Sequence, residues 1–429
     1  MEEMKSNALL GENIFIDRLP SGIKCYIIPK SGYVEKQAML AVRYGSADSS
    51  YQIDGRRLEA PEGMAHFLEH KMFEDDKMAV FEQFTMQGAS VNAFTTYTHT
   101  AYYFSCIDNF YENLGLLMDF VQKPHFTDAN VEKEKGIIAQ EIQMYSDNPS
   151  WKVYMNLNQA LYHQGPLRDN IAGTLESIQE ITKELLLENY NAFYHPSNMA
   201  LICVGDLDPV KIFQTVNEGF MEKPARVAGR IFGEEPACAK MSYIEEKLSV
   251  SMPLFEFGFK ETDFKSGLAG KIASSKILAD IIAGESSPLY VSMYDEGLID
   301  DSFAMDYLCG SFYGATIFSG ASRDPIRVRG LLMAEISRLA QEGIDPSRFA
   351  AAKRKHLGKY IRSFNMIDHI GVNQVDLFSK DLDLFDLMDA FQSASIPDAQ
   401  SRLNNHFLEE SSALSVVSPM DPCLRAAAK

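Results

Sequence analysis

The amino-acid sequence predicts an α+β protein of two homologous α/β-sandwich lobes, each a mainly antiparallel sheet with helices packed on one face. Three observations carry this expectation. Strand-like segments alternate with helical ones from the N-terminus onward. The order strand, helix, long helix occurs in both halves, anchored by GLLM at Gly115–Met118 and again at Gly330–Met333. Between the halves, MEKPARVAGRIFGEEPACAKMS (221–242) is rich in Pro, Gly and Ala and reads as a connection. The expected lobes are therefore residues 1–225 and 243–429, joined through 226–242. A chain of 429 residues is too long for one ordinary core, which agrees with such a division.

GIKCYIIPK and EKQAMLAVRYGS read as strands, because β-branched and aromatic residues dominate them and Gly-containing turns end them. Pro61 followed by Glu62 marks a helix start, and EGMAHFLEHKMFE continues it with Met64, Leu68 and Met72 on one side. After a short helix around Phe81, ASVNAFTTYTHTAYYFSC reads as a strand pair. ENLGLLMDFVQ and DANVEKEKGIIAQEIQMYSDN are helices, the second opened by Thr127 or Asp128 as its cap. HPSN turns into the strand MALICVG, and GDLDP caps the next helix. In the second half TIFSGAS is a strand, followed by the helices IRVRGLLMAEISRLAQEG and GIDPSRFAAAKRKHLGKYIRSFNMID.

A formal net charge of −19 argues against non-specific binding to nucleic acid or to an anionic membrane surface, and neither partner is expected. Basic or extended polypeptide partners fit this charge better. No basic region followed by an apolar run opens the chain, and no apolar stretch approaches the roughly 18 residues a membrane helix needs. The six cysteines are scattered without a C-x-x-C pair, and several, such as Cys203, sit in strand-like apolar runs. They read as buried thiols of a reducing compartment, so the expected location is cytoplasmic.

The sharpest chemical feature is His66-Phe67-Leu68-Glu69-His70. Residues four apart on a helix share a face, so both histidines can aim a ring nitrogen at one point. Glu69, beside His70, can reach a metal-bound water without being a ligand. This is the H-x-x-E-H inverzincin pattern, the mirror of H-E-x-x-H. A catalytic zinc needs a third protein ligand and an open fourth position. Glu134 and Glu141 lie seven residues apart on one helix face, and spacing alone does not choose between them.

The run from PEGMAHFLEH through VNAFT and VEKEKGIIAQE to YHPSNMALICVGD resembles the insulinase/pitrilysin family of zinc peptidases, most strongly over residues 15–220. HFLEHKMFE, GASVNAFTTYT and EKEKGIIAQEIQMYSDNPSW are similar, more narrowly, to a bacterial member associated with modification of translation elongation factor P. The resemblance implies Zn2+ as cofactor, His66, His70 and Glu141 as its ligands, Glu69 as catalytic base and Glu134 as a supporting residue. It also implies that the segment around Asn92 and Ala93 is an edge strand to which substrate adds as a further strand. The implied activity is endopeptidase cleavage, with a non-proteolytic binding or maturation subunit as the competing reading.

The sequence departs from that family in its second half. The family carries a substrate-binding Arg and Tyr there, within a stretch that corresponds to Ser286–Asp300; Tyr294 stands at the Arg position and Asp300 at the Tyr position. Lys359 replaces the acidic residue that would parallel Glu141, and no second H-x-x-E-H exists. One zinc site per chain is therefore expected, in a dimer whose related partner supplies the Arg and Tyr. Arg323 or Arg327 is the alternative source within the chain. His99, His125, His163, His195, His356, His369 and His406 lack spaced partners and read as core or surface residues.

Overall fold

The structure, a computed structural model, describes residues 3–75, 78–220, 227–264 and 267–420. The chain opens with β1 (Glu3–Asn7), β2 (Glu12–Arg18), β3 (Lys24–Pro29) and β4 (Lys36–Val42), then the small hairpin β5 (Ser50–Ile53) and β6 (Arg56–Glu59). Helices α1 (Met64–Met72) and α2 (Val80–Met86) lead into a hairpin of β7 (Ala89–Thr95) and β8 (Thr100–Cys106). There follow α3 (Phe110–Gln122), α4 (Asp128–Ser146), α5 (Pro149–Leu161), α6 (Lys183–Phe193), β9 (Met199–Gly205) and α7 (Pro209–Gly219). The second half begins with β10 (Gly229–Arg230), β11 (Tyr243–Leu248), β12 (Leu254–Lys260), α8 (Leu268–Ala283) and α9 (Pro288–Asp295). A second hairpin, β13 (Ala304–Cys309) and β14 (Gly314–Ala321), precedes α10 (Pro325–Glu342) and α11 (Pro346–Ser363). The chain continues through α12 (Ile367–Phe378), α13 (Leu384–Ser393), α14 (Ile396–His406) and β15 (Ser412–Pro419).

The two halves repeat a hairpin followed by two helices, and both GLLM segments lie on the first of those helices, α3 and α10. One sheet runs β1-β2-β3-β9-β4-β8-β7 and the other β11-β15-β12-β14-β13. Each has one parallel neighbour pair, β3 with β9 and β11 with β15, and is otherwise antiparallel. The mixed, mainly antiparallel architecture is the one expected. The short strands β5, β6 and β10 form a separate small sheet.

Register explains how the helices attach. Leu40 lies opposite Tyr102 and Ala38 opposite Phe104, so these four side chains share one face of the first sheet. Tyr102 meets Phe120 at 5.6 Å between ring centroids and Phe104 meets Phe110 at 5.5 Å, which docks α3 there. Each such buried large side chain contributes roughly 1.5–3 kcal/mol. Gln37 and Met39 point to the opposite face by strand alternation. There α12 crosses the sheet so closely that a Cβ on Gly371 would lie 2.7 Å from Met39 Sδ. The second sheet is built alike: a Cβ on Gly258 of β12 would come within 2.9 Å of Leu157 on α5.

These two helices come from the other half of the sequence, and this changes the expected domain organisation. One compact unit comprises Met1–Ile142, Asp169–Phe232 and Ile361–Phe385; the other comprises Gln143–Arg168, Gly233–Tyr360 and Asp386–Lys429. The expected contiguous lobes thus differ from the units by one exchanged segment each. The cause is burial: each sheet has a second apolar face, and a helix from the distant half covers it. Residues 221–226 of the expected connection, and Cys423, lie outside the described residues. Of the other cysteines, Cys25, Cys106 and Cys203 are buried free thiols. Among the described residues no helix is long and apolar enough to cross a membrane.

Candidate metal centre

Helix α1 presents the H-x-x-E-H run. It starts at Met64 rather than at Pro61, because Gly63 adopts φ 86° at its N-cap, a left-handed conformation that glycine takes without strain. A Cβ at Gly63 would lie 2.5 Å from the Ala172 carbonyl oxygen, so the loop at Ala172 pins the start of the helix. The Phe73 N–H closes the other end on the His70 carbonyl at 3.3 Å. All residues of α1 except His70 are buried, and the histidine rings sit 4.6 Å apart, one turn from each other.

Helix α4 supplies the carboxylates. Of the two candidate caps the structure shows Thr127: its Oγ1 accepts the Asn130 N–H at 3.2 Å while its own N–H donates to Asn130 Oδ1 at 3.0 Å. Glu134 and Glu141 then fall on one face, but at different sides of His70. Glu141 faces both Nε2 atoms, with Oε1 3.6 Å from His66 and Oε2 3.6 Å from His70. Glu134 Oε1 lies 3.0 Å from Nδ1 of His70.

The ligand atoms of His66, His70 and Glu141 all lie within 4.8 Å of one another. Two imidazole nitrogens and a carboxylate oxygen are the donor set of a catalytic zinc with one open position, and ligand bonds of about 2.0–2.2 Å would bring these atoms slightly closer. The residues fit such an ion. Among the described residues this is the one group of three such ligands that converges. Nδ1 of His70 is turned to Glu134, so Nε2 is the nitrogen that faces the other two donors, an arrangement that matches a carboxylate behind a metal-binding histidine.

Electrostatics follow from burial and pairing. Burial alone would lower the His70 pKa, but the Glu134 hydrogen bond and the charges of Glu69, Glu134 and Glu141 raise it above its ordinary value. Burial works to raise Glu134, yet His70 and Lys71 together hold it below the usual carboxylate range. Glu69 is raised by burial, against the opposing pull of His66, of the Thr95 hydrogen bond and of His70.

Two members of the site escaped the sequence reading. Lys71 has no exposed side-chain surface and donates to Glu134 Oε2 at 3.2 Å and to Glu74 Oε1 at 3.0 Å. Beside H-x-x-E-H it looks like any helix-surface lysine, and only the fold shows its burial. Thr95 donates its hydroxyl to Glu69 Oε2 at 2.6 Å. Its position three residues after Asn92 in a strand with an open edge was the available signal.

Asn92 and Ala93 lie on β7, which ends its sheet and, among the described residues, pairs only with β8. The Ala93 N–H donates to the Asn92 side-chain oxygen at 2.8 Å. In the other unit, Tyr294 is exposed near the end of α9 and Asp300 is exposed beyond it. Arg327 pairs with the Glu296 carboxylate and Arg323 donates to the Glu296 carbonyl, each at 2.5 Å. Lys359 lies on α11.

Known proteins match this chain in both halves. Residues 53–175 match the insulinase family, Peptidase family M16, and residues 180–355 match the Peptidase M16 inactive domain. The uncharacterized zinc protease YmfH of Bacillus subtilis is 37% identical over 401 residues, covering 91% of this chain and 93% of that protein. An M16-like peptidase from Alicyclobacillus acidocaldarius superposes with a TM-score of 0.92 at 38% identity, covering 95% of this chain and 99% of that one. Pitrilysin shares the fold, with a TM-score of 0.77 at 17% identity over 98% of this chain and 46% of its own. A mitochondrial-processing peptidase subunit beta of Arabidopsis thaliana is 25% identical over 251 residues, 56% of this chain and 45% of that one. The family match, with near-full-length likeness to YmfH and to the Alicyclobacillus peptidase, places this chain, in which two imidazoles and a carboxylate converge beside Glu69, in the insulinase family of peptidases, Peptidase family M16.

Proposed function

We propose that the chain is a zinc-dependent endopeptidase that cleaves peptides or extended polypeptides. The observation that carries the reading is the convergence of His66, His70 and Glu141 with Glu69 next to them and an open strand edge close by. When bound, zinc would lower the pKa of a water towards neutrality and polarise the scissile carbonyl. His66, His70 and Glu141 would hold the ion, and Glu134 would fix the His70 ring. Glu69 would take a proton from the water and return it to the leaving amine. Asn92 and Ala93 on β7 would align the peptide as an added strand, through main-chain hydrogen bonds that depend little on side chains.

Tyr294 and Asp300 favour a second element of this reading: a related partner subunit supplies the Arg and Tyr, since Arg323 and Arg327 are both engaged with Glu296. The naming of one relative as a subunit supports it. We place the protein in the cytoplasm on its cysteine usage. The test compares the chain with its Glu141→Ala and Glu69→Gln variants. One zinc per chain, lost in Glu141→Ala, together with cleavage of a quenched peptide mixture that Glu69→Gln loses while keeping zinc, is the expected result. Absence of zinc from the unaltered chain after incubation with the metal would refute the reading. Full cleavage by a chain shown to be monomeric would refute the partner subunit.

A further inference from the structure

Thr95 closes strand β7, and its hydroxyl has one proton to give. Two acceptors compete for it: Glu69 Oε2 at 2.6 Å and Thr100 Oγ1 at 3.2 Å. Thr100 commits its own proton to the Tyr44 carbonyl at 2.9 Å, so between the two hydroxyls only Thr95 could donate. A carboxylate is the stronger acceptor and lies at the shorter distance, so the Thr95 proton goes to Glu69. Oε2 is thereby held as an acceptor, and the proton that Glu69 gains and loses is directed to Oε1.

We propose that Thr95 is a positioning residue: by occupying Oε2 it makes Oε1 the one oxygen of Glu69 that exchanges protons during peptide hydrolysis. This rests on the peptidase reading above. In that reaction the water oxygen bonds to the carbonyl carbon as one of its protons passes to Oε1. The same proton passes to the amine nitrogen as the C–N bond breaks, and Glu69 ends as it began. A proton resting on Oε2, on the Thr95 side, would have to move to the other oxygen before delivery. The placement of Thr95 has a further consequence. Asn92 and Ala93 stand three and two positions before it on the same strand, so a peptide added along β7 firms the backbone that carries the Thr95 hydroxyl. Binding of substrate and alignment of the base then go through one strand.

Thr95→Val keeps the branched shape and removes the hydroxyl, whereas Thr95→Ser keeps the hydroxyl. Three readouts are compared: zinc per chain, kcat and KM on a quenched peptide, and the crystal structure of Thr95→Val. The expected result is unchanged zinc content, KM within about twofold and kcat lowered roughly 10- to 100-fold in Thr95→Val, with Thr95→Ser within about threefold of the unaltered chain. In the Thr95→Val crystal the Glu69 carboxylate should leave its place or take more than one orientation. Unchanged kcat in Thr95→Val, or an equal fall in Thr95→Ser, overturns the proposal while the peptidase reading stands. If the unaltered chain cleaves no better than Glu69→Gln, the peptidase reading itself fails, and with it the part given to Oε1. An undisturbed Glu69 carboxylate in the Thr95→Val crystal overturns the hold of Thr95 on Glu69 whatever the turnover.

Discussion

Glu134→Gln isolates what a carboxylate behind His70 contributes. Glu134 uses both oxygens, Oε1 for Nδ1 of His70 at 3.0 Å and Oε2 for the Lys71 ammonium at 3.2 Å. An amide of the same shape has one acceptor and must choose. If its oxygen serves His70, its NH2 faces a buried ammonium; if it serves Lys71, its NH2 faces a ring N–H. Loss of a hydrogen bond to a charged group costs about 1.5–3 kcal/mol, and removal of such a carboxylate costs typically 10- to 100-fold in metal affinity. Zinc affinity, read by competition with a chromogenic chelator, should therefore fall by about one to two orders of magnitude. A second loss is independent of metal. Lys71 keeps Glu74 at 3.0 Å, so the cost of half-breaking this buried pair should fall near or below the lower end of the roughly 3–5 kcal/mol range. At roughly 2–4 °C per kcal/mol for a unit of this size, metal-free protein should melt several degrees lower. Zinc affinity within about twofold of the unaltered chain, with the same melting temperature, would refute the linkage of Glu134 to both partners.

Gly63→Ala should destabilise the start of α1 by about 2 kcal/mol or more, because φ is 86° and the new Cβ would meet the Ala172 carbonyl; weakened zinc uptake alongside a lowered melting temperature checks it. Glu256 has a buried Oε2 without a hydrogen-bond partner among the described residues, and burial pushes its pKa up to about 8. The folded carboxyl therefore keeps its proton at pH 7 while the unfolded one ionises, so stability falls as pH rises from about 4.5 to 8. Glu256→Gln should gain roughly 2–3 kcal/mol at pH 7 and flatten that slope in denaturant titrations; no gain refutes it. His406, pushed down to about 3 by burial and then by Arg402, behaves oppositely. The folded state binds fewer protons than the unfolded one between about pH 3 and 6.5, so stability is lost as pH falls through that window, by on the order of 5 kcal/mol in all. A His406→Gln chain that loses stability between pH 6.5 and 4.5 as steeply as the unaltered one would contradict it.

The repeat, the hairpins and α1 were legible because they rest on local periodicity and on spacing within one helix. His66 and His70 had to share a face wherever α1 packed. The choice between Glu134 and Glu141 was not legible from spacing, since both project from the same face of α4; the fold separates them by which nitrogen of His70 each one meets. The positions of α5 and α12 were hidden for a different reason. Their apolar stripes show that they are buried, yet a stripe carries no information about which sheet receives it. Lys71 shows the same limit at the scale of one side chain, because its burial is decided by α4 and not by its neighbours in sequence.

The exchange of α12 has a consequence for how the chain is made. Strand β9, the centre of the first sheet, ends at Gly205, but the helix that covers its second face does not begin until Ile367. At roughly 5–20 residues per second, a ribosome takes on the order of ten to thirty seconds to cross that interval. During this time Met39 and its neighbours lack the helix against which they pack. The nascent first sheet would be a target for chaperones over that span, and folding of the whole protein would be slowed by a long loop closure. Chains stalled near residue 340 should bind a general chaperone and resist protease poorly, and the released 429-residue chain should do neither.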